Sequence, residues 1–184
     1  MTARFGLLSA IVLVAGAVPV TAQPLNAWVG AGVGYGALPE LPEREQGEEG
    51  LGVLTGALFV SIERAPVVLT LRAAGATEYY GDEAYDVGVL VGVGGGGPMR
   101  HLSVGVGLAL VNVVSDDDGL SLFGSVSGRI DGPADRTTTL GLPLEVQAFV
   151  QGRHVGLGLY GFVNLNREAT FGGVTLAFVL GRWR

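Results

Sequence analysis

From residue 25 onward the chain alternates between aliphatic residues and glycine or small polar ones. His101 to Val111 reads H-L-S-V-G-V-G-L-A-L-V. Leu102, Val104, Val106, Leu108 and Leu110 fall on one face; Ser103, Gly105, Gly107 and Ala109 fall on the other. A period of two predicts β-strands. The second face separates this chain from a soluble sheet protein. Strands half-exposed to water carry charge on their wet side, and here that side is glycine, serine, threonine and alanine. Such a pattern suits a closed barrel whose apolar face meets lipid and whose small-residue face fills a narrow interior.

Eight segments carry the pattern: 25–37, 51–63, 66–77, 85–95, 100–112, 137–150, 154–165 and 171–182. Each is long enough for a tilted membrane strand of roughly 9–11 residues. The connections alternate in kind. Those at 38–50, 78–84, 113–136 and 166–170 are mostly long or charged; those at Arg64-Ala65, Gly96 to Met99 and Gln151 to Arg153 are short. Long external loops and short periplasmic turns predict an antiparallel up-and-down transmembrane β-barrel with both termini in the periplasm. The stretch 119–130 also alternates. Nine strands conflicts with the even strand number of bacterial single-chain barrels, so it reads as the rim of the fifth segment or a hairpin above the membrane. Ten strands is the alternative.

The facing follows segment by segment. Leu140, Leu142, Leu144, Val146, Ala148 and Val150 point to lipid, as do Val155, Leu157, Leu159, Val163, Val174, Leu176, Phe178 and Leu180. Gly141, Pro143, Glu145, Gln147, Phe149, Gly156, Gly158, Tyr160, Phe162, Thr175 and Ala177 point inward. Segment 51–63 has large apolar residues on both faces and is left open. Tyr35, Tyr79, Tyr80 and Tyr85 gather near the external ends as an interfacial girdle; Trp28 and Trp183 fall near the periplasmic end.

Composition agrees. Hydrophobic residues make up 48% of the 184 and charged residues 15%, with a mean hydropathy of +0.46. The long unbroken apolar run lies at the N-terminus, from Phe5 to Val18 after Arg4, and ends in Pro19-Val20-Thr21-Ala22. This predicts a secretory signal peptide over 1–22 and a barrel domain over 23–184. There is no cysteine, hence no disulfide and no cysteine to carry a lipid anchor. Every basic side chain besides the histidines is arginine. Fifteen of the seventeen acids fall in or beside the external connections, against four arginines, a net of −11. The rest of the barrel domain holds six arginines with Glu63 and Glu145, a net of +4. This split supports the assignment of sides independently of loop length.

The chain resembles the small eight-stranded outer-membrane barrels of the OmpA and OmpX type over residues 23–184. The likeness rests on the signal peptide, the strand count, the loop asymmetry and the last segment, Val174 to Arg184, which alternates and carries Trp183. Barrels of this class commonly end in such a strand with a terminal aromatic that the barrel-assembly machinery reads; here Arg184 follows the aromatic. The resemblance implies a Gram-negative outer-membrane location, contact with membrane lipid and lipopolysaccharide, and a monomer that binds no nucleic acid.

Candidate chemistry is sparse. His101 and Ser103 share a face, and an H-x-S pair on a strand resembles that of the lipid A deacylase barrels, with Glu145 as a conceivable third member. The Val-Gly-Val-Gly that follows, and a position at the periplasmic end, favour a turn histidine beside Arg100 contacting headgroups. Asp116, Asp117 and Asp118 are weak candidates for a metal, since clustered carboxylates suit hard cations; the full calcium-loop spacing is missing, and a solvated acidic loop is the plainer reading. The glutamates of 38–50 are similar, and divalent cations shared with lipopolysaccharide phosphates are a partner for both loops. Gly92 to Gly97 matches G-x-G-x-x-G, but no helix pattern follows, so it reads as a flexible turn and not a nucleotide site. Arg72, Glu145 and Gln147 are the polar residues expected inside, with Arg72 and Glu145 paired across the lumen because an interior charge must be paired or wet. No cofactor and no catalytic residue is expected. The reading is a non-enzymatic envelope-structural or surface-interaction barrel with acidic external loops as contact surface. The alternative, drawn from the many inward glycines, is a narrow channel or carrier for a small or apolar molecule; a lipid-modifying enzyme comes third.

Overall fold

The computed structural model describes residues 25–38, 53–77, 83–97, 99–115 and 135–183. Eight antiparallel strands form a closed barrel in sequence order. They are β1 (Asn26–Ala37), β2 (Val53–Arg64), β3 (Val67–Thr77), β4 (Glu83–Gly97), β5 (Arg100–Ser115), β6 (Asp135–Gln151), β7 (Val155–Leu165) and β8 (Phe171–Arg182). Each strand lies within a few residues of its sequence-predicted segment. β5 pairs directly with β6 and β1 with β8, so the circle closes at eight and the ten-stranded alternative is excluded. The alternating stretch at 119–130, the proposed signal peptide and most of the long connections lie outside the described residues.

The strands form because the alternation puts one apolar face on the outside all the way round. Val33, Leu108 and Leu140 are each 70% exposed, and Leu58, Val89, Leu157, Leu176 and Phe178 join the same outer surface. An uninterrupted apolar belt of this extent is unlike the surface of a soluble monomer. It satisfies a barrel in hydrocarbon, where ladder closure leaves no unpaired strand edge within the span. The open segment is resolved by its neighbours. In β2, Val53, Thr55, Ala57, Phe59, Ser61 and Glu63 are buried, while Leu54, Leu58, Val60 and Ile62 face out. The glycine run is not a flexible turn throughout. β4 extends to Gly97, and its pairing with β5 reaches Gly97–Arg100. One gap marks the β5–β6 ladder: pairing stops at Val106–Leu144 and resumes at Ala109–Gly141. Pro143 lies between and has no N–H to donate.

The inner face is a fit of absent side chains to large ones. A Cβ at Gly30 would overlap the Phe59 ring, and one at Gly141 would overlap Asn164. The inward glycines therefore leave no empty cavity of their own at these levels; they make room for bulky groups from facing strands. The largest side chains with under 2% exposure are Arg72, Tyr160, Phe59, Phe171, Leu90 and Gln147.

Candidate functional site in the barrel lumen

The lumen is built in three polar layers threaded by aromatic rings. Toward the long-loop end, β3 supplies Arg72 and β4 supplies Asp86. Arg72 stands opposite Gly88, so Asp86 is its diagonal neighbour, within reach of a long side chain. The pair is bidentate: Arg72 Nη2 donates to Asp86 Oδ2 at 2.7 Å and Nε to Oδ1 at 3.1 Å. Asn164 Nδ2 donates to Oδ2 at 2.6 Å, and Arg72 Nη1 donates to the Leu144 carbonyl at 3.1 Å. The guanidinium carbon lies 5.4 Å from the Phe162 ring centre. Four strands are thus tied across the section by one fully buried ion pair.

The middle layer holds Glu145. Its Oε2 accepts from Tyr160 Oη at 2.7 Å and its Oε1 from Gln147 Nε2 at 3.0 Å. Gln147 Oε1 accepts from Trp28 Nε1 at 3.1 Å, and the Ser61 and Thr70 hydroxyls stand 3.0 Å apart beside the same amide. Arg72, Glu145 and Gln147 all lie inside, but the expected Arg72–Glu145 pair does not form. Arg72 is taken by Asp86, an acid that charge counting assigns to the external group. The alternation held the signal for this: Tyr85, Val87, Val89, Val91 and Val93 share the outer face, which puts Asp86 inward. Glu145 is satisfied by a phenol and an amide.

The third layer lies at the short-turn end. His101 is buried in the lumen, not set among headgroups. Its Nε2 is 3.2 Å from Ser103 Oγ, its Nδ1 is 3.9 Å from Glu63 Oε2, and its ring packs edge-on to Trp28 at 4.6 Å. The carboxylate near His101 is Glu63 and not Glu145. The order of contacts is that of a Ser-His-acid relay. However, Ser103 is only 3% exposed, and the wall of the adjoining cavity runs through Glu63 and His101 without reaching it. Asn26 Nδ2 donates to Glu63 Oε2 at 2.8 Å.

Rings connect the layers. Trp183, Trp28, His101, Phe149, Phe59, Tyr160, Phe162 and Phe171 follow one another with centre separations between 4.5 and 6.3 Å. Phe59 and Tyr160 are nearly parallel at 4.5 Å. Alternation places Tyr160, Phe162 and Phe149 inward; Phe59 is not legible from its segment, which is apolar on both faces, whereas Asn164 continues the inward series of Gly156, Gly158, Tyr160 and Phe162. Tyr35 and Tyr85 are on the outer surface, 74% and 43% exposed, consistent with the girdle; Tyr79 and Tyr80, like Asp116, Asp117 and Asp118, lie outside the described residues. Trp28 sits at the expected end but turns into the lumen.

No protein-family model matches the sequence, and no curated protein matches it. Solved structures do. Neisserial surface protein A superposes with a TM-score of 0.57 at 9% identity, covering 85% of this chain and 95% of that one. Ail, the attachment invasion locus protein of Yersinia pestis, crystallised with the heparin analogue sucrose octasulfate, gives 0.56 at 9% identity over 88% of this chain and all of that one. The fold is that of the small eight-stranded outer-membrane barrels. Together with the continuous apolar belt, it makes the chain a closed barrel shaped to cross a membrane. At 9% identity the likeness is one of architecture, and the lumen chemistry described above is this chain's own.

Proposed function

We propose that this protein is a closed, non-enzymatic barrel that serves envelope structure or surface interaction, and that its working surface is the set of acidic external loops. One observation carries the reading: the middle of the lumen is filled. Arg72, Asp86, Asn164, Gln147 and Tyr160 are each at most 1% exposed, and their hydrogen bonds interlock across the section. A solute passing through would have to break a desolvated ion pair, leaving charges whose burial unpaired costs several kcal/mol. This weighs against the channel alternative. The relay-like His101 and Ser103 weigh little for an enzyme, because the hydroxyl is not on a cavity wall.

The loops supply what is left to act. With Asp86 assigned to the lumen, fourteen acids remain in or beside the external connections. The Ail structure holds a polyanion; a surface of this charge suits the opposite, a cationic protein segment or divalent cations shared with lipopolysaccharide phosphates. Planar-bilayer recording of the purified protein tests the closed lumen. The expected result is no discrete conductance above the bare bilayer. Reproducible unitary openings would overturn the reading and restore the channel.

A further inference from the structure

On the outer face of the barrel, the apolar belt ends in arginine at the short-turn end. In β2 the outward series Leu58, Val60 and Ile62 continues, two residues on, to Arg64. In β8 the series Leu176, Phe178 and Leu180 continues to Arg182. In β5 the outward Leu102 and Val104 are preceded, at the same spacing, by Arg100. Arg153 stands in the turn between β6 and β7. All four arginines are exposed, and none forms a salt bridge with a described residue. The same end carries no counter-charge on its surface. Its described carboxylate, Glu63, is 4% exposed and turned into the lumen, with Asn26 and His101 at its Oε2. Residues 1–24 contain no aspartate or glutamate, residue 98 is proline and residue 184 is arginine. The chain adjoining this end outside the described residues therefore adds no acidic side chain. The long-loop end differs: Arg136 follows Asp135, and Arg167 precedes Glu168.

We infer that these arginines form a collar that gathers net-anionic phospholipids around the short-turn end of the barrel. Position, shape and charge each narrow the occupant. Arg64, Arg100 and Arg182 continue the lipid-facing rows, so they stand where the apolar belt gives way to headgroups. A long arginine stem can lie along apolar surface with its charged head in the polar layer. The four are spread over β2, β5, β8 and the β6–β7 turn. β1 separates β8 from β2, and β3 and β4 separate β2 from β5. Such a distribution makes no compact patch for a protein partner, whereas a ring of lipid meets every member. The guanidinium fork matches phosphate oxygens. A zwitterionic lipid brings a cationic group beside its phosphate, and this surface has no carboxylate to receive it. A lipid of net negative charge brings the phosphate without the cation. The collar presupposes the membrane-crossing barrel and is independent of whether the lumen conducts.

Full-length protein is placed in phosphatidylcholine bilayers at low salt with a trace of spin-labelled phosphatidylglycerol or spin-labelled phosphatidylcholine. Electron spin resonance resolves the fraction of labelled lipid immobilised at the protein. One arginine near an anionic lipid is worth about a fivefold preference. Averaged over an annulus with a few such positions, phosphatidylglycerol should associate about twofold more strongly than phosphatidylcholine. At about 1 M salt, where screening acts over roughly 3 Å, the ratio should fall toward unity. Arg64→Gln, Arg100→Gln and Arg182→Gln combined should abolish the preference at low salt and leave the phosphatidylcholine fraction unchanged. Arg136→Gln with Arg167→Gln, at the other end, should keep it. Equal association of the two lipids at low salt, a preference that the collar variant retains, or one that the Arg136 and Arg167 variant loses overturns the proposal. If the collar variant does not insert, the other-end variant and the salt series still decide, and a preference unmoved by salt overturns it. Absence of any immobilised lipid would refute the membrane-crossing barrel itself, and the collar with it.

Discussion

Replacing Asp86 with alanine tests the central layer most directly. The carboxylate accepts three hydrogen bonds, from Arg72 Nε, Arg72 Nη2 and Asn164 Nδ2. Its loss leaves the Arg72 guanidinium charged, with the Leu144 carbonyl, the Tyr160 hydroxyl and the Phe162 face still beside it. Breaking one side of a buried ion pair costs about 3–5 kcal/mol, because the surviving charge stays desolvated. Removing the pair together is different. Arg72→Met with Asp86→Leu exchanges the ions for apolar groups of similar length, and such replacements are often neutral or stabilising. The double variant should therefore recover most of the loss, a coupling readable as a double-mutant cycle. The assay is urea unfolding of the folded barrel in lipid vesicles, followed by tryptophan emission and by the gel-mobility shift between folded and heated forms. Asp86→Ala within about 1 kcal/mol of the parent would refute the reasoning. It would mean that water reaches Arg72 and that the section is not closed at this level.

Three further outcomes are expected. Leu108→Arg puts a guanidinium on the lipid face at a position 70% exposed; it should cost about 2–4 kcal/mol near the midplane, measured by the same unfolding assay, and normal stability would mean that Leu108 does not meet hydrocarbon. Gly30→Val should impair assembly, judged by the gel shift, because its side chain overlaps the Phe59 ring; Phe59→Ala in the same chain should partly restore assembly, and a lack of rescue would show that this contact is not what requires glycine. Single cysteines at Glu45, Asp117 and Glu168, in a chain with none of its own, should react with an impermeant thiol reagent on intact cells while cysteines at Ala65 and Gly152 do not. Labelling at Ala65 in place of Asp117 would invert the barrel.

What the sequence determined was the wall. A strict period of two, with aliphatics on one face and small residues on the other, is a local property, and it specified strand, facing and solvent together. The pairing of β1 with β8 then follows from closure, since no strand edge can be left open in hydrocarbon. The interior was legible only by residue type. Arg72, Glu145 and Gln147 are polar residues on inward positions, so their burial could be read from alternation. Their partners could not. In a narrow barrel a side chain of β3 reaches β4, β6 and β7 alike, and choosing among them depends on stagger between strands, which periodicity does not encode. That stagger gave Arg72 to Asp86 and left Glu145 to Tyr160 and Gln147. It also decided the use of glycine. Read along one strand, an inward glycine looks like empty space; read across the barrel, Gly30 is the room that Phe59 occupies. The same cause brought Glu63, His101 and Gln151 from three strands to one mouth, a grouping distant in sequence that exists only once the barrel has closed.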